Sequence, residues 1–371
     1  MTPTSSPTRL AVLVNGSIGS IEWIRATQHL GFTSNDSTLL LVRRGGSLST
    51  WISWIQECQR FRPELLYVIN TASPGVPFAL WRKLVGNIPF VLDTGDLVFE
   101  MARRSGIEPA AKWPILWAGE QAGWHACETL VVRSECFRQH LHELGFHHAM
   151  TLPDGFAPPP ELTDRFAIQS LRRKLGLGGF LVAGVMGSLI HSPKLNLCYG
   201  WDLISALPML TDLPFRALIV GDGPGRPWLE KLALRLSVQD RVVFAGRVPY
   251  AELHHYLQLM DVAISTQTNN LPGRVRTTGK LPEYMAAGRF ILASKVGEAA
   301  RVLPEPMLID YEGDVDLNYP KRLAERLRGV AGDPEKARVM GTSNRALAEK
   351  HFGKETLQSA LRGILARNAK R

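Results

Sequence analysis

Residues 180–187 read FLVAGVMG and residues 215–223 read FRALIVGDG, two unbroken apolar runs that each close on a glycine. A continuous run, unlike an alternating one, suits a strand buried on both faces. Each is followed by turn residues and then by a longer helix-like segment, the order that builds a parallel sheet flanked by helices. Working outward, RVVFAG (241–246), DVAIS (261–265), FILAS (290–294) and MLID (307–310) complete a set of six. The first half carries its own set: LAVLVN (10–15), TLLLVR (38–43), ELLYVIN (64–70), PFVLD (89–93), TLVVR (129–133) and AMTLP (149–153). Two such sets predict an α/β protein of two doubly wound, Rossmann-like domains.

The length of 371 residues fits that count, at about 150 residues per domain. With 45% hydrophobic and 21% charged residues, the composition excludes a disordered chain and a polytopic membrane protein. The stretch LPDGFAPPPELTD (152–164) has four prolines and no periodicity, so it reads as an interdomain connection. The expected division is a flexible tail over 1–9, an N-terminal Rossmann-like domain over 10–155, a linker over 156–164, a C-terminal Rossmann-like domain over 165–345 and a final helix over 346–371. In that helix Leu357, Leu361, Ile364 and Leu365 recur at helical spacing, so one face should dock. Doubly wound sheets bind ligands at the carboxyl ends of their strands, and two of them joined by a linker predict a cleft with one ligand from each side.

The formal net charge is +9. Residues 321–371 hold thirteen cationic and five acidic side chains, so nearly all of the excess sits in the C-terminal helices. No aromatic-interleaved basic stripe accompanies it, which argues against nucleic acid. A solvated helix face is one reading, and attraction to an anionic membrane surface is the other. Four cysteines without CxxC spacing read as reduced thiols, and the adjacent pairs His147-His148 and His254-His255 are not metal-chelating i, i+4 pairs. The N-terminal MTPTSSPTR has no apolar core and no run approaches 18 apolar residues, so the expectation is a cytoplasmic protein, with the inner membrane face as the variant.

Several loops qualify for chemistry. Gly16, Ser17 and Gly19 follow the first strand and suit either an anion seat at a helix start or a tight turn. As a dinucleotide fingerprint this loop is incomplete, which disfavours an NAD oxidoreductase. In PFVLDTGDLVFE (89–100), Asp93 and Asp96 leave a buried strand. Asp96 reads equally as a general base or as a helix N-cap, and Asp93 is the weaker candidate base. After FLVAGVMG, Gly187 and Ser188 allow close backbone approach to a phosphate, with His191 and Lys194 nearby; GDGPG (221–225) reads mainly as a turn. Trp51, Trp54, Trp81, Trp113, Trp117 and Trp124 belong to a core or else stack sugars or meet lipid.

The densest cluster runs from Asn269 to Gly288, NNLPGRVRTTGKLPEYMAAG. Arg274, Arg276 and Lys280 fall within seven residues, with Thr277, Thr278 and Gly279 at a helix start. That combination suits a diphosphate, through charge-assisted bonds, hydroxyls and unpaired N–H groups. Asn270 and Leu281 border it, and Glu283 lies one turn on, placed to accept from ribose hydroxyls.

The second half resembles the GT-B glycosyltransferases, especially retaining family 4. The resemblance is carried in order by VAGVMGSL, YGWDLISAL, FRALIVGDGPGRPWLEKLA, RVVFAGRVPYAELHHYLQLMDVAIS and GKLPEYMAAGRFILAS. It implies that Glu283 is the second Glu of the family's Glu-x7-Glu motif, that Lys280 lies near the donor diphosphate, and that Arg247-Val248 grip the nucleobase. Three departures stand out: Val275 replaces the motif's first Glu, Tyr199 replaces the Lys of a Lys-Gly pair, and Ser188 replaces an Arg.

The resemblance implies transfer of a sugar from a nucleotide diphosphate donor, UDP-linked by preference, to a hydroxyl acceptor: a glycan, a lipid-linked glycan or a small aglycone. With Lys280 and Glu283 from the resemblance, and Asp96 from its place at the end of a buried strand, the expected catalytic set is Asp96, Lys280 and Glu283. With fixed cations available and no Asp-x-Asp in the cluster, no metal and no cofactor beyond the sugar nucleotide are expected. Retention is the expected stereochemistry, while a base at Asp96 would invert. The alternatives are a nucleotide-sugar epimerase of the same build and a non-catalytic nucleotide-sugar-binding protein.

Overall fold

The computed structural model describes residues 9–43, 46–157 and 164–368. Residues 1–8 of the expected tail and residues 158–163 of the expected linker lie outside the described residues. The chain divides into two compact units, the first of residues 1–101, 110–155 and 352–371, the second of residues 102–109 and 156–351.

The first unit contains β1 (Leu10–Val14), β2 (Thr38–Val42), β3 (Leu65–Ile69), β4 (Phe90–Thr94), β5 (Thr129–Val132) and β6 (Ala149–Thr151). They form one parallel sheet in the order β2-β1-β3-β4-β5-β6. Every residue of β1, β3, β4 and β5 is buried, as the continuous apolar runs require. The last helix, Lys354–Asn368, lays Leu357, Leu361 and Ile364 against Val12, Tyr67 and Ile69. Each of these side chains contributes about 2 kcal/mol by leaving water. Asn368 fixes the end of the helix by donating from Nδ2 to the Thr129 hydroxyl at 3.1 Å.

The second unit contains β7 (Leu181–Met186), a short hairpin of β8 (His191–Ser192) and β9 (Leu197–Cys198), then β10 (Phe215–Val220), β11 (Val242–Gly246), β12 (Val262–Ser265), β13 (Phe290–Ser294) and β14 (Leu308–Ile309). Its parallel sheet has the order β11-β10-β7-β12-β13-β14, so the strand sequence reverses between β7 and β12. The sequence patterning missed the hairpin, because a two-residue strand leaves no periodicity. Strands β7 and β12 pair only at Ala183–Val262 and Gly184–Ala263, and beyond those residues no ladder joins them. A crevice at the carboxyl ends of the strands, where the order reverses, is where such sheets bind ligands.

The glycines of GDGPG let the loop after β10 pack closely on the loop after β7. A side chain at Gly221 (φ 133°) would overlap the Gly187 carbonyl, and one at Gly225 would lie 2.8 Å from the His191 nitrogen. The Leu189 N–H bonds the Asp222 carbonyl at 3.1 Å and the Gly225 N–H bonds the Leu189 carbonyl at 2.8 Å. Their task is backbone apposition, in line with the reading of this segment as a turn.

Candidate functional site

The unpaired ends of β7 and β12 leave backbone groups that two tyrosines satisfy. The Tyr284 hydroxyl accepts from the Met186 N–H at 2.7 Å, and the Tyr199 hydroxyl donates to the Ile264 carbonyl at 2.8 Å. Tyr284 is fully buried on the helix Lys280–Ala286, and that helix begins at the TTGK turn. Its first residue, Lys280, therefore arrives over the crevice. The Lys280 ammonium sits 3.3 Å from the centroid of the Tyr199 ring, and a side chain on Gly187 (φ 147°) would meet it at 3.1 Å. Burial pushes the ammonium down to about 7, helped by the charge of Arg276 and opposed by Asp202.

Asp202 escaped the sequence reading. It lies in the first turn of the helix Trp201–Ala206, buried, with one oxygen accepting from the Thr266 hydroxyl. Burial raises its pKa against the pull of that hydroxyl. A cavity of about 140 Å³ opens beside it, walled by Tyr199, Trp201, Thr266, Thr268 and Tyr311. Glu283 is buried, and its Oε1 accepts from the Tyr250 hydroxyl and from the Ala157 N–H at 3.2 Å.

The other expected donor residues divide. Gly187, Thr277, Thr278, Gly279 and Lys280 occupy the loops after β7 and before the Lys280 helix, with Arg276 exposed beside them and Ser188 exposed on its loop. Arg247 and Val248 follow β11, whose Gly246 carbonyl holds the Gly221 N–H at 2.8 Å. Asn270 is instead spent on structure. Its Oδ1 caps the helix Leu271–Val275 through the Gly273 N–H at 2.9 Å, and its amide donates to Asp314 at 2.6 Å. Arg274 is exposed on that helix, and Leu281 is buried in the core. Lys194 lies on the exposed β8–β9 turn, its Nζ 3.4 Å from the Arg103 carbonyl that accepts from it. Val275 is buried, so this position turns its side chain into the protein interior.

In the first unit Gly16 is held beneath Ser20 and Glu22, Ser17 accepts the Ser20 N–H at 3.0 Å, and Gly19 takes φ 82°. Asn15 ties this loop down by donating to the Asn70 carbonyl at 2.9 Å and accepting the Gly75 N–H at 2.8 Å. Asp93 is fully buried and accepts from Arg25 at 2.9 Å and Tyr67 at 2.7 Å. Arg25 also reaches Asp154 at 3.3 Å, and Arg133 lies 3.6 Å from the same carboxylate. Asp93 thus belongs to a buried ion network that joins β3, β4 and the segment after β6. At the start of the following helix, Val98–Ser105, Glu120 accepts the Val98 N–H at 2.7 Å, and burial pushes its carboxyl up to about 7. Asp96 stays half-buried, with its backbone carbonyl accepting from the Thr94 hydroxyl at 3.2 Å.

A sheet reversing at β7/β12, a glycine loop and a basic helix start make up a Rossmann-like unit with its crevice where such sheets bind ligands. Residues 182–328 match the family model described as glycosyl transferases group 1. The second unit thus contains the stretch that resembles group 1 glycosyl transferases, and the chain has the GT-B fold. Among curated proteins, it is 30% identical over 215 residues to a GDP-mannose-dependent alpha-(1-6)-phosphatidylinositol monomannoside mannosyltransferase of Mycolicibacterium smegmatis, covering 57% of this chain and 51% of that protein. It is 28% identical over 214 residues to a 2-deoxystreptamine glucosyltransferase of Streptomyces kanamyceticus, covering 56% and 49%. The match thus spans about half the length of each relative. Among solved structures, Anabaena HepE in complex with UDP-glucose superposes with a TM-score of 0.75 at 16% identity, covering 97% of this chain and 99% of that one. Sucrose-phosphate synthase from Thermosynechococcus elongatus gives 0.72 at 16% identity, covering 98% and 99%. Among the described residues no helix is long and apolar enough to cross a membrane.

Proposed function

We propose that the chain is a glycosyltransferase that moves a sugar from a UDP-linked donor to a hydroxyl acceptor. The observation that carries this reading is the Lys280 ammonium, held at the reversal of the second sheet beside Gly187 with its hydrogen-bond donors unspent. In the transfer, the bond from the anomeric carbon to the diphosphate oxygen breaks with its electron pair leaving on the diphosphate, and a bond from the acceptor oxygen to the anomeric carbon forms. The acceptor hydroxyl proton passes to the departing diphosphate oxygen or, with inversion, to Asp96. Lys280 stabilises that charge, with Arg276 and the backbone of the Thr277–Gly279 turn beside it. Glu283 accepts a ribose hydroxyl in exchange for one of its present partners. These fixed charges suffice for departure without a metal, so activity is expected to survive chelation.

Retention of anomeric configuration fits the group 1 domain, while proton removal by Asp96 would invert it. NMR of the product anomer separates the two. By their names, the two curated relatives act on 2-deoxystreptamine and on a phosphatidylinositol monomannoside. We favour a lipid-linked acceptor met at the inner face of an anionic membrane, because the cationic excess sits in the C-terminal helices. Salt-sensitive co-sedimentation with anionic vesicles tests it, and no co-sedimentation at low salt overturns it.

The decisive experiment incubates the protein with a panel of UDP- and GDP-sugars and follows slow release of free nucleotide. UDP release that Lys280→Met abolishes is the expected outcome. Epimerised donor would indicate an epimerase, and binding without turnover a non-catalytic protein. Failure to bind any member of the panel would refute the proposal.

A further inference from the structure

Among the described residues Lys280 makes no hydrogen bond and no ion pair; its polar contact is the face of Tyr199. That is an unusual setting for a half-buried ammonium, because a carboxylate partner would usually be present. An aromatic face attracts a cation through its quadrupole but takes up none of its N–H bonds and cancels none of its charge. An ammonium seated this way keeps its donors uncommitted, and its charge when protonated is not neutralised by a carboxylate partner. Asp202, the acidic group that acts on Lys280, has its own carboxylate engaged by Thr266.

The platform itself is rigid. The Tyr199 hydroxyl is anchored at 2.8 Å to the Ile264 carbonyl, near the end of β12. It also hydrogen-bonds with Tyr284, whose hydroxyl in turn holds the Met186 N–H at the end of β7 at 2.7 Å. The following residue, Gly200, takes φ 95° and lets the chain turn at once into the helix Trp201–Ala206. The ring is thereby fixed to both strands of the crevice. Gly187 completes the seat from the loop after β7, since a side chain there would press on the Lys280 ammonium at 3.1 Å while only touching the ring edge at 3.8 Å.

We propose that Tyr199 is a positioning residue that carries the Lys280 ammonium on its ring face and so presents it, with all three donors free, to a nucleoside diphosphate. The proposal rests on the donor-site reading given above and adds the residue that makes Lys280 effective. It also explains how a tyrosine is compatible with an anion site: it supplies the surface and Lys280 supplies the charge.

The test uses Tyr199→Leu, Tyr199→Phe, Lys280→Met and the double variant Tyr199→Leu/Lys280→Met in the full chain. Two readouts are taken. Competitive acetylation across a pH series, read by mass spectrometry, gives the titration midpoint of Lys280 without any ligand. Calorimetry with UDP, and with inorganic pyrophosphate as the minimal probe, gives affinity.

Tyr199→Leu is expected to move the Lys280 midpoint and to weaken UDP about tenfold, the scale of a desolvated cation–π contact. Tyr199→Phe keeps the ring face but gives up the hydroxyl's hold on the Ile264 carbonyl, so it should lose clearly less UDP affinity than Tyr199→Leu, and a Phe variant as weak as the Leu one would overturn the role of the ring face. In the Lys280→Met background, Tyr199→Leu should cost nothing further. Equal losses in both backgrounds, or an unmoved midpoint with unchanged UDP affinity, would overturn the positioning role and leave the donor reading intact. A shifted midpoint in a protein that binds neither UDP nor pyrophosphate would overturn the donor reading, and the proposal with it.

Discussion

Replacing Lys280 with Met tests the site without any substrate, through the pH dependence of folding. The native ammonium titrates near 7, whereas an unfolded lysine keeps its proton to about 10.5. Between those values the unfolded chain binds more protons than the native one. Stability must therefore rise with pH across that window, by about 1.4 kcal/mol per unit when one group is responsible. From pH 7 to pH 9 this amounts to about 2–3 kcal/mol. Lys280→Met has no such group. At pH 7 it should be the more stable protein, and by pH 9 its advantage should shrink by about 2–3 kcal/mol. Urea unfolding of both proteins at pH 7, 8 and 9 measures the difference, in which other titrating groups cancel. Bound UDP should act in the opposite sense, because a diphosphate favours the charged amine, so UDP affinity should fall as pH rises above 7. A stability difference that stays flat from pH 7 to pH 9 would refute the desolvated seat on Tyr199.

Four further outcomes follow from the structure. Restoring the family carboxylate with Val275→Glu should not raise donor turnover; the side chain is buried, so thermal melts should show a loss of several kcal/mol, and a more active, equally stable variant would contradict this. Arg25→Met leaves the fully buried Asp93 short of its partner and should cost about 3–5 kcal/mol in urea unfolding, whereas a loss below about 1 kcal/mol would mean the network is not structural. Burial alone would raise the Asp154 carboxyl, yet Arg133, His29 and Arg25 drive it well below the usual range. Its contribution is thus present above about pH 4 and lost as pH falls below that, a dependence that Asp154→Asn should flatten. Finally, Gly221→Ala should lower the melting temperature sharply and weaken UDP binding, since the methyl overlaps the Gly187 carbonyl at a φ of 133°; a fully stable variant would refute that packing.

The twelve strands of the two large sheets were legible as apolar runs, clearest in the central strands, where burial on both faces leaves a continuous run such as LAVLV or FRALIV; the edge strands β2 and β11 are only partly buried and carry the same mark by their apolar composition. The basic turn TTGK was legible for a similar reason: its residues are neighbours in the chain and share one helix start. What the sequence does not carry is which charges are already spent. Asn270, Lys194 and Asp93 look as available as Lys280, yet the fold commits them to a helix cap, a carbonyl and an ion pair. Glu120 and Asp202 give no local signal, because each gains its partners from elements far away in the chain. The pairing of Lys280 with Tyr199 shows the limit most plainly. Read as letters, Tyr199 is a lost lysine, a departure that weakens the anion site. In the folded unit its ring lies under Lys280, because β7 and β12 part beyond Gly184 and two tyrosines fill the gap. Burial patterns are written along the chain, and so the sequence by itself determined the layered α/β architecture. Whether a charge is paired, desolvated or free depends on distances between remote segments, and only the tertiary structure decided that.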